Sequence, residues 1–314
     1  MSAGGKDKGC SGGHRRREPG GEQPHPVLRP LTMRQVDRLV RLAERAASDR
    51  GFPMRYDGVG ALLPVEGEGM TAGLANLART VGGLPRQQWR AAVAAHFDQM
   101  GPGGERPAIP EDLENELYLR LVDASSINPD WAGRVPTLVP GLLTAPATYT
   151  GRAVAMHFDV GSLGLSWSEI NRIGLANLRR LTDTVEYVQV PGTEIAMLSG
   201  GMFTASRALV LDTVLRESLH VENPPFGCLV AMPARDMLLV HVMRDPMVVH
   251  AFMAMARMAT CFYSESPGQV SPHVYYVADQ EWHQMTDYSS GTFDLRSVPA
   301  FSQAMHRIET EALT

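Results

Sequence analysis

The chain has 314 residues and a formal net charge of −5 at pH 7, and 44% of its residues are hydrophobic and 20% charged. This composition is typical of a globular protein, and the length accommodates one large domain or two ordinary ones. The acidic balance argues against a dedicated nucleic-acid-binding protein, which needs a basic face, and no segment approaches the ~20 apolar residues of a membrane span.

Residues 1–28 combine glycine, proline and the run Arg15 to Arg17 with little that could be buried. They predict a disordered, solvated tail, although the arginines also suit an electrostatic tether. The tail lacks the apolar core of a secretory signal, so we expect a cytoplasmic protein. Residues 29–130 follow as a mostly helical N-terminal region. Apolar periodicity predicts helices over residues 32–51, 71–81, 85–100 and 113–121, and residues 59–65 favour a strand.

Residues 131–314 predict an α+β core domain, with a mixed or antiparallel sheet covered by helices. Ser166 and Glu169 form an S-x-x-E capping box, which predicts a helix with high specificity. Further helices are expected over residues 204–219, from Pro246 onwards and over residues 298–313. β-branched and aromatic residues between turn signals predict strands over residues 135–143, 148–160, 227–232 and 237–243. Residues 185–190 and 195–198 predict a hairpin closed around Pro191-Gly192, and residues 274–282 predict a last hairpin.

Several short motifs occur in the order found in the bacterial domain of unknown function 1444 family. They are Ala176-Asn177-Leu178, Ala205-Ser206-Arg207, the hairpin from Val230 to Leu239, and Ser271-Pro272 before Tyr275-Tyr276. The chain resembles a high-GC bacterial form of that family over about two-thirds of its length. Ala234 departs from the family pattern, which has serine between the hairpin proline and arginine. The resemblance implies one compact α+β unit and brings no catalytic residue with it.

The absence of lysine after Lys8 excludes the sites that depend on a lysine side chain. A phosphate-binding P-loop, a kinase-type strand lysine and a Schiff-base enzyme each need one. The bias itself is typical of a GC-rich genome. Cys10, Cys228 and Cys261 form no C-x-x-C pair, so no zinc ribbon or redox motif is available, and we interpret the last two as buried, inert thiols.

The histidines do not have the spacing of a metal site, so we expect neither a metal nor a cofactor. The four considered are His241, His250, His273 and His283. The best candidates for a binding surface are Arg207, Arg235 and Asp236, because the last two lie in a short turn that can project a charged pair over one end of the sheet. The favoured interpretation of these residues is nevertheless structural, with an Arg207–Asp236 ion pair that ties the helix to the hairpin.

Two functions therefore remain open from the sequence. The first, favoured by the absence of any recognisable catalytic constellation, is a non-enzymatic protein-interaction module that uses a sheet edge or the end with Arg235 and Asp236. The second is a small-molecule sensor or enzyme with a pocket near the 233–236 hairpin, in which Asp236 acts with His241 or His273 as acid and base.

Overall fold

The computed structural model describes residues 23–65, 71–98, 109–127, 129–149, 154–289 and 292–312. They form an α+β fold of helices and antiparallel sheets, which confirms the predicted class. The predicted tail, including Arg15 to Arg17, lies mostly outside the described residues. His25 and Leu28 are buried, however, so the packed part of the chain begins before the expected limit at residue 28.

Residues 23–65 and 71–98 form what we call the N-terminal unit. Its helices are α1 (Met33–Ser48), α2 (Ala75–Gly82) and α3 (Trp89–Asp98), and its small sheet has strands β1 (Met54–Tyr56), β2 (Ala61–Pro64) and β3 (Ala72–Gly73). The expectation of a mostly helical region is therefore only partly supported. At the start of α1 the Thr32 amide donates to the Gln35 side chain at 2.7 Å, as the capping spacing predicts.

A second sheet has the strand order β4-β6-β5, with β7 paired to β6. Its strands are β4 (Leu117–Asp123), β5 (Thr137–Val139), β6 (Leu142–Tyr149) and β7 (Val154–Met156), and the short helices α4 (Leu113–Glu116) and α5 (Pro129–Ala132) precede β4 and β5. The helix predicted over residues 113–121 is wrong beyond Glu116. Because β4 pairs with β6, the predicted boundary between residues 130 and 131 cuts through one sheet.

Helix α6 (Trp167–Arg180) begins with the predicted capping box, in which the Glu169 side chain accepts from the Ser166 amide at 2.8 Å. The helix packs against β4. A Cβ on Gly174 would lie 2.7 Å from Cγ of Leu119, so only glycine permits this approach. Buried Asn177 donates to the Leu117 carbonyl at 2.8 Å, which satisfies a backbone group at the start of β4.

The main sheet has six antiparallel strands in the order β13-β12-β10-β11-β9-β8. They are β8 (Thr184–Val190), β9 (Thr193–Ser199), β10 (Cys228–Ala231), β11 (Met237–Val242), β12 (Val274–Ala278) and β13 (Glu281–Gln284). Strands β10 and β11 lie in the middle, as their apolar composition predicts. A ribbon of β14 (Thr286–Asp287) and β15 (Asp294–Leu295) follows.

Both faces of the main sheet are covered. Helices α8 (Val248–Glu265) and α9 (Pro299–Ala312) pack on one face, where Leu229, Leu239 and Met255 are buried. On the other face the predicted 204–219 helix is a 3-10 helix (Ala205–Val210), α7 (Leu211–Thr213) and a π turn (Val214–Ser218) in succession. Among the described helices, none combines the length and apolar character needed to cross a bilayer.

Candidate functional site

Arg207 does not belong to an accessible surface, contrary to the expectation from sequence. Its side chain is 1% exposed, and Nη1 donates to Oδ2 of Asp183 at 2.5 Å. Thr204 donates its hydroxyl to the other oxygen of Asp183 at 2.7 Å. The partner of Arg207 is thus Asp183 rather than Asp236, and the buried charge is compensated within the fold.

Arg235 and Asp236 occupy the turn between β10 and β11, as predicted. Asp236 is exposed and Arg235 is half-buried. The Arg235 amide donates to the Gly268 carbonyl at 2.8 Å. A Cβ on Gly268 would lie 2.5 Å from Cδ of Arg235, so the arginine side chain lies directly over the glycine. The Gly268 loop therefore orients the Arg235 side chain.

Arg235 lies within electrostatic range of two other basic side chains, Arg120 on β4 and His96 on α3. Burial lowers the pKa of Arg120 to about 10, and the positive charge of Arg235 contributes to the shift. Burial is also the main cause of the lowered pKa of His96, again with Arg235 second. We call these three residues the arginine cluster. Its members come from the N-terminal unit, the second sheet and the main sheet.

The cluster lacks a compensating carboxylate among the described residues. The guanidinium groups of Arg120 and Arg235 have no hydrogen-bond or ion-pair partner in that part of the chain, and the buried Nε2 of His96 has none either. Asp123, the carboxylate that β4 itself offers, accepts from the Tyr263 hydroxyl at 2.6 Å and the Ser125 amide at 2.8 Å. The positive charge of the cluster therefore has no counter-charge in the described part of the chain, and an external anion can supply one.

Arg79 on α2 lies at the same junction. It donates to the Gln269 side chain, while its Nε is buried and has no hydrogen-bond partner. Beside it, the Asn76 side chain accepts from the Gly268 amide at 2.7 Å. These two hydrogen bonds join α2 to the same loop that orients Arg235. An unpartnered buried N–H here adds to the donors that an anion would satisfy.

Sequence reasoning identified Arg235 and missed His96, Arg120 and Arg79. No motif connects these positions, which are far apart in the chain. One signal was available, since Arg120 interrupts the hydrophobic run from Leu117 to Val122. An arginine inside such a strand is unusual and indicates a role for its charge. The erroneous helical prediction over residues 113–121 hid that signal.

A groove with a volume of about 460 Å³ lies over β8, β9 and β11. Its lining includes Tyr187, Glu194 and His241, and Nδ1 of His241 lies 2.8 Å from the Glu194 carbonyl oxygen. Asp236 is not part of it, because it precedes β11 whereas His241 is near the other end, ~17 Å away at the rise of an extended strand. His273 interacts with Thr286 at 3.2 Å. The pair of Asp236 with His241 suggested from the sequence is therefore not assembled, and His273 contacts Thr286 instead of a carboxylate.

The two described cysteines differ. Cys228 is buried, and burial raises the pKa of its thiol to about 12, so it is inert as expected. Cys261 is exposed on α8, so its predicted burial is wrong. Within the described ranges, no three histidine, cysteine, aspartate and glutamate side chains come together in a way that could hold a metal ion.

Comparison of the chain with protein-family models, with curated proteins and with solved structures found no match.

Proposed function

We propose that the protein binds a small molecule through an anionic group held by the arginine cluster, next to the 233–236 hairpin. The observation that carries this proposal is a set of side-chain donors without partners among the described residues: the guanidinium groups of Arg120 and Arg235 and the buried Nε2 of His96. Two partly buried like charges repel, and an anion placed between them replaces that repulsion by charge-assisted hydrogen bonds. The proposed activity is binding, as in a sensor, rather than catalysis.

The chemistry of the donors supports an oxyanion ligand. A guanidinium group presents several N–H donors in a fixed plane that matches phosphate, sulfate and carboxylate oxygens. His96 adds an Nε2 that is buried and has no partner. Both arginines are half-buried rather than enclosed, so the site is reachable from solvent. Arg207 differs from these two arginines, because its charge is compensated by the carboxylate of Asp183.

Titration with sulfate and phosphate tests the proposal. At constant ionic strength, maintained with sodium chloride, we expect a saturable rise in the free energy of unfolding of about 3 kcal/mol at an anion concentration 100 times the Kd. Arg120→Met removes the charge but keeps much of the side-chain volume, and it abolishes this response. Arg257→Met, on the exposed face of α8, is the matched control and retains it. An equal response of Arg120→Met and the wild type contradicts the proposal.

A second candidate function is protein interaction at β8, which forms one edge of the main sheet. The partner we propose is a second copy of this chain. The two-residue turn between Val190 and Thr193 directs the backbone N–H and C=O groups of Val185, Tyr187 and Gln189 away from β9. Antiparallel pairing of two β8 strands centred on Tyr187, which is 49% exposed, sets Glu186 opposite Val188 and so avoids opposed like charges.

Membership of the domain of unknown function 1444 family and a cytoplasmic location stay predictions from the sequence. Both are compatible with a small-molecule sensor. The expectation that the protein has no nucleic-acid partner is compatible with this proposal as well.

A further inference from the structure

The N-terminal unit has a hydrophobic core of its own. The residues buried in it include Leu39, Leu62, Leu77 and Trp89, and this hydrophobic cluster extends no further than Phe97. The four hydrophobic clusters in the rest of the described chain contain no residue before Leu113. Burial of apolar surface therefore stabilises each part separately and contributes little to their association.

Polar groups instead join the N-terminal unit to the remainder. The hydrogen bonds from Gly268 to Asn76 and from Arg79 to Gln269 cross the junction. His96 lies on the N-terminal side of the same junction, where its buried Nε2 has no partner among the described residues and its ring is within electrostatic range of Arg235 on the other side. A junction that depends on a few polar contacts opens more easily than the hydrophobic cores on either side of it.

We propose that the bound anion is a tetrahedral, doubly charged oxyanion, such as a phosphoryl or sulfate group, which links His96 to Arg120 and Arg235 and thereby fastens the N-terminal unit to the sheets. This inference rests on the proposed function. A tetrahedral group suits the site because its oxygens point in several directions and can accept from donors on both sides, whereas a planar carboxylate accepts mainly in one plane. Ligand occupancy then controls the docking of the unit.

The amide of Gly268 is a direct reporter of this docking, because its acceptor is Asn76 on the other side of the junction. We expect sulfate to slow its hydrogen exchange in the full-length protein by up to about 100-fold at 100 times the Kd, since opening the junction destroys the site. The Ser271 amide, which donates to the Met232 carbonyl at 2.9 Å, does not cross the junction and serves as the internal control. Its exchange stays unchanged.

Two variants separate the docking from the binding. His96→Ala removes the donor on the N-terminal side, so sulfate still binds the two arginines, with weaker affinity, but no longer slows exchange at Gly268. His96→Gln keeps a side-chain N–H and restores part of the effect. A planar dicarboxylate such as malonate slows exchange less than sulfate does at equal occupancy.

Calorimetry on the same samples makes the possible failures distinguishable. If sulfate binds the wild type with measurable heat and exchange at Gly268 does not change, the docking inference is overturned and the proposed binding function stands. If neither sulfate nor phosphate binds, both are overturned. Equal slowing in the wild type and in His96→Ala at saturation also contradicts the role of His96.

Discussion

Arg207 and Asp183 form an ion pair in the interior of the protein, with 2.5 Å between Nη1 and Oδ2. Only 1% and 2% of the two side chains are exposed. A pair buried to this extent is weak evidence for net stabilisation, because removing both charges from water offsets much of their attraction. Its integrity is nevertheless essential, since either charge left alone would be buried without compensation.

We therefore expect Arg207→Met to lower the free energy of unfolding by about 3–5 kcal/mol, because it leaves the Asp183 carboxylate buried without an opposite charge. Urea unfolding followed by circular dichroism measures the change. The double variant Arg207→Met with Asp183→Leu removes both charges and recovers most of the loss. Arg172→Met, which breaks the exposed pair with Glu114, is the control and changes stability little. Equal losses in the single and double variants contradict this explanation.

Arg120 differs from Arg207, because burial and the positive charge of Arg235 both lower its pKa and no described carboxylate pairs with it. Replacing it should remove repulsion and desolvation, so Arg120→Met is expected to raise the free energy of unfolding by about 2 kcal/mol in the absence of anions. Thermal unfolding in an anion-poor buffer measures this. Destabilisation by Arg120→Met under those conditions indicates that the guanidinium is already compensated, and it would count against an anion site.

The sequence predicts the parts of this fold that depend on neighbouring residues. The capping box at Ser166 and the two-residue turn between β8 and β9 are local, and both were predicted correctly. The error at residues 113–121 arose because Leu113, Leu117 and Leu121 fit a helical period, while Leu117, Leu119 and Leu121 fit the alternation of a strand equally well. Pairing with β6 decides between them, and that pairing is a tertiary effect.

The arginine cluster was predictable only at Arg235, which a tight turn between two apolar strands identifies as an exposed functional candidate. His96 and Arg120 belong to the cluster because the fold brings α3 and β4 close to that turn. Their spacing in the sequence does not predict this proximity. The same reason explains the wrong partner for Arg207. Asp183 precedes β8 and lies 24 residues before Arg207, and only the fold brings the two together.

The exposed edge of β8 leads to a prediction about oligomeric state. We expect the protein to dimerise with rising concentration, and Tyr187→Lys to prevent it, because the symmetric pairing places the two substituted lysines opposite each other. Light scattering after size-exclusion chromatography measures the mass. Tyr187→Phe keeps the ring and is the control that still dimerises. A monomer at all concentrations in the wild type contradicts the second candidate function.

The lowered pKa of His96 leads to a pH dependence that runs in opposite directions for stability and for sulfate binding. Without an anion, burial and the charge of Arg235 hold the pKa of His96 below its usual value, about 6.5. As the pH falls through that value the unfolded state binds the proton first, so the anion-free protein loses stability. Bound sulfate supplies an opposite charge, which raises the pKa of His96 and couples binding to proton uptake.

The affinity for sulfate should therefore increase as the pH is lowered from about 7.5 to about 5.5, a range in which sulfate itself does not titrate and histidine does. The increase is at most about ten-fold per pH unit, because one proton is taken up for each anion bound. Calorimetric titrations at several pH values in anion-poor buffers measure it. His96→Gln cannot be protonated and should show an affinity that does not depend on pH. An affinity in the wild type that is constant, or that falls on acidification, shows that His96 does not contact the anion and removes it from the site.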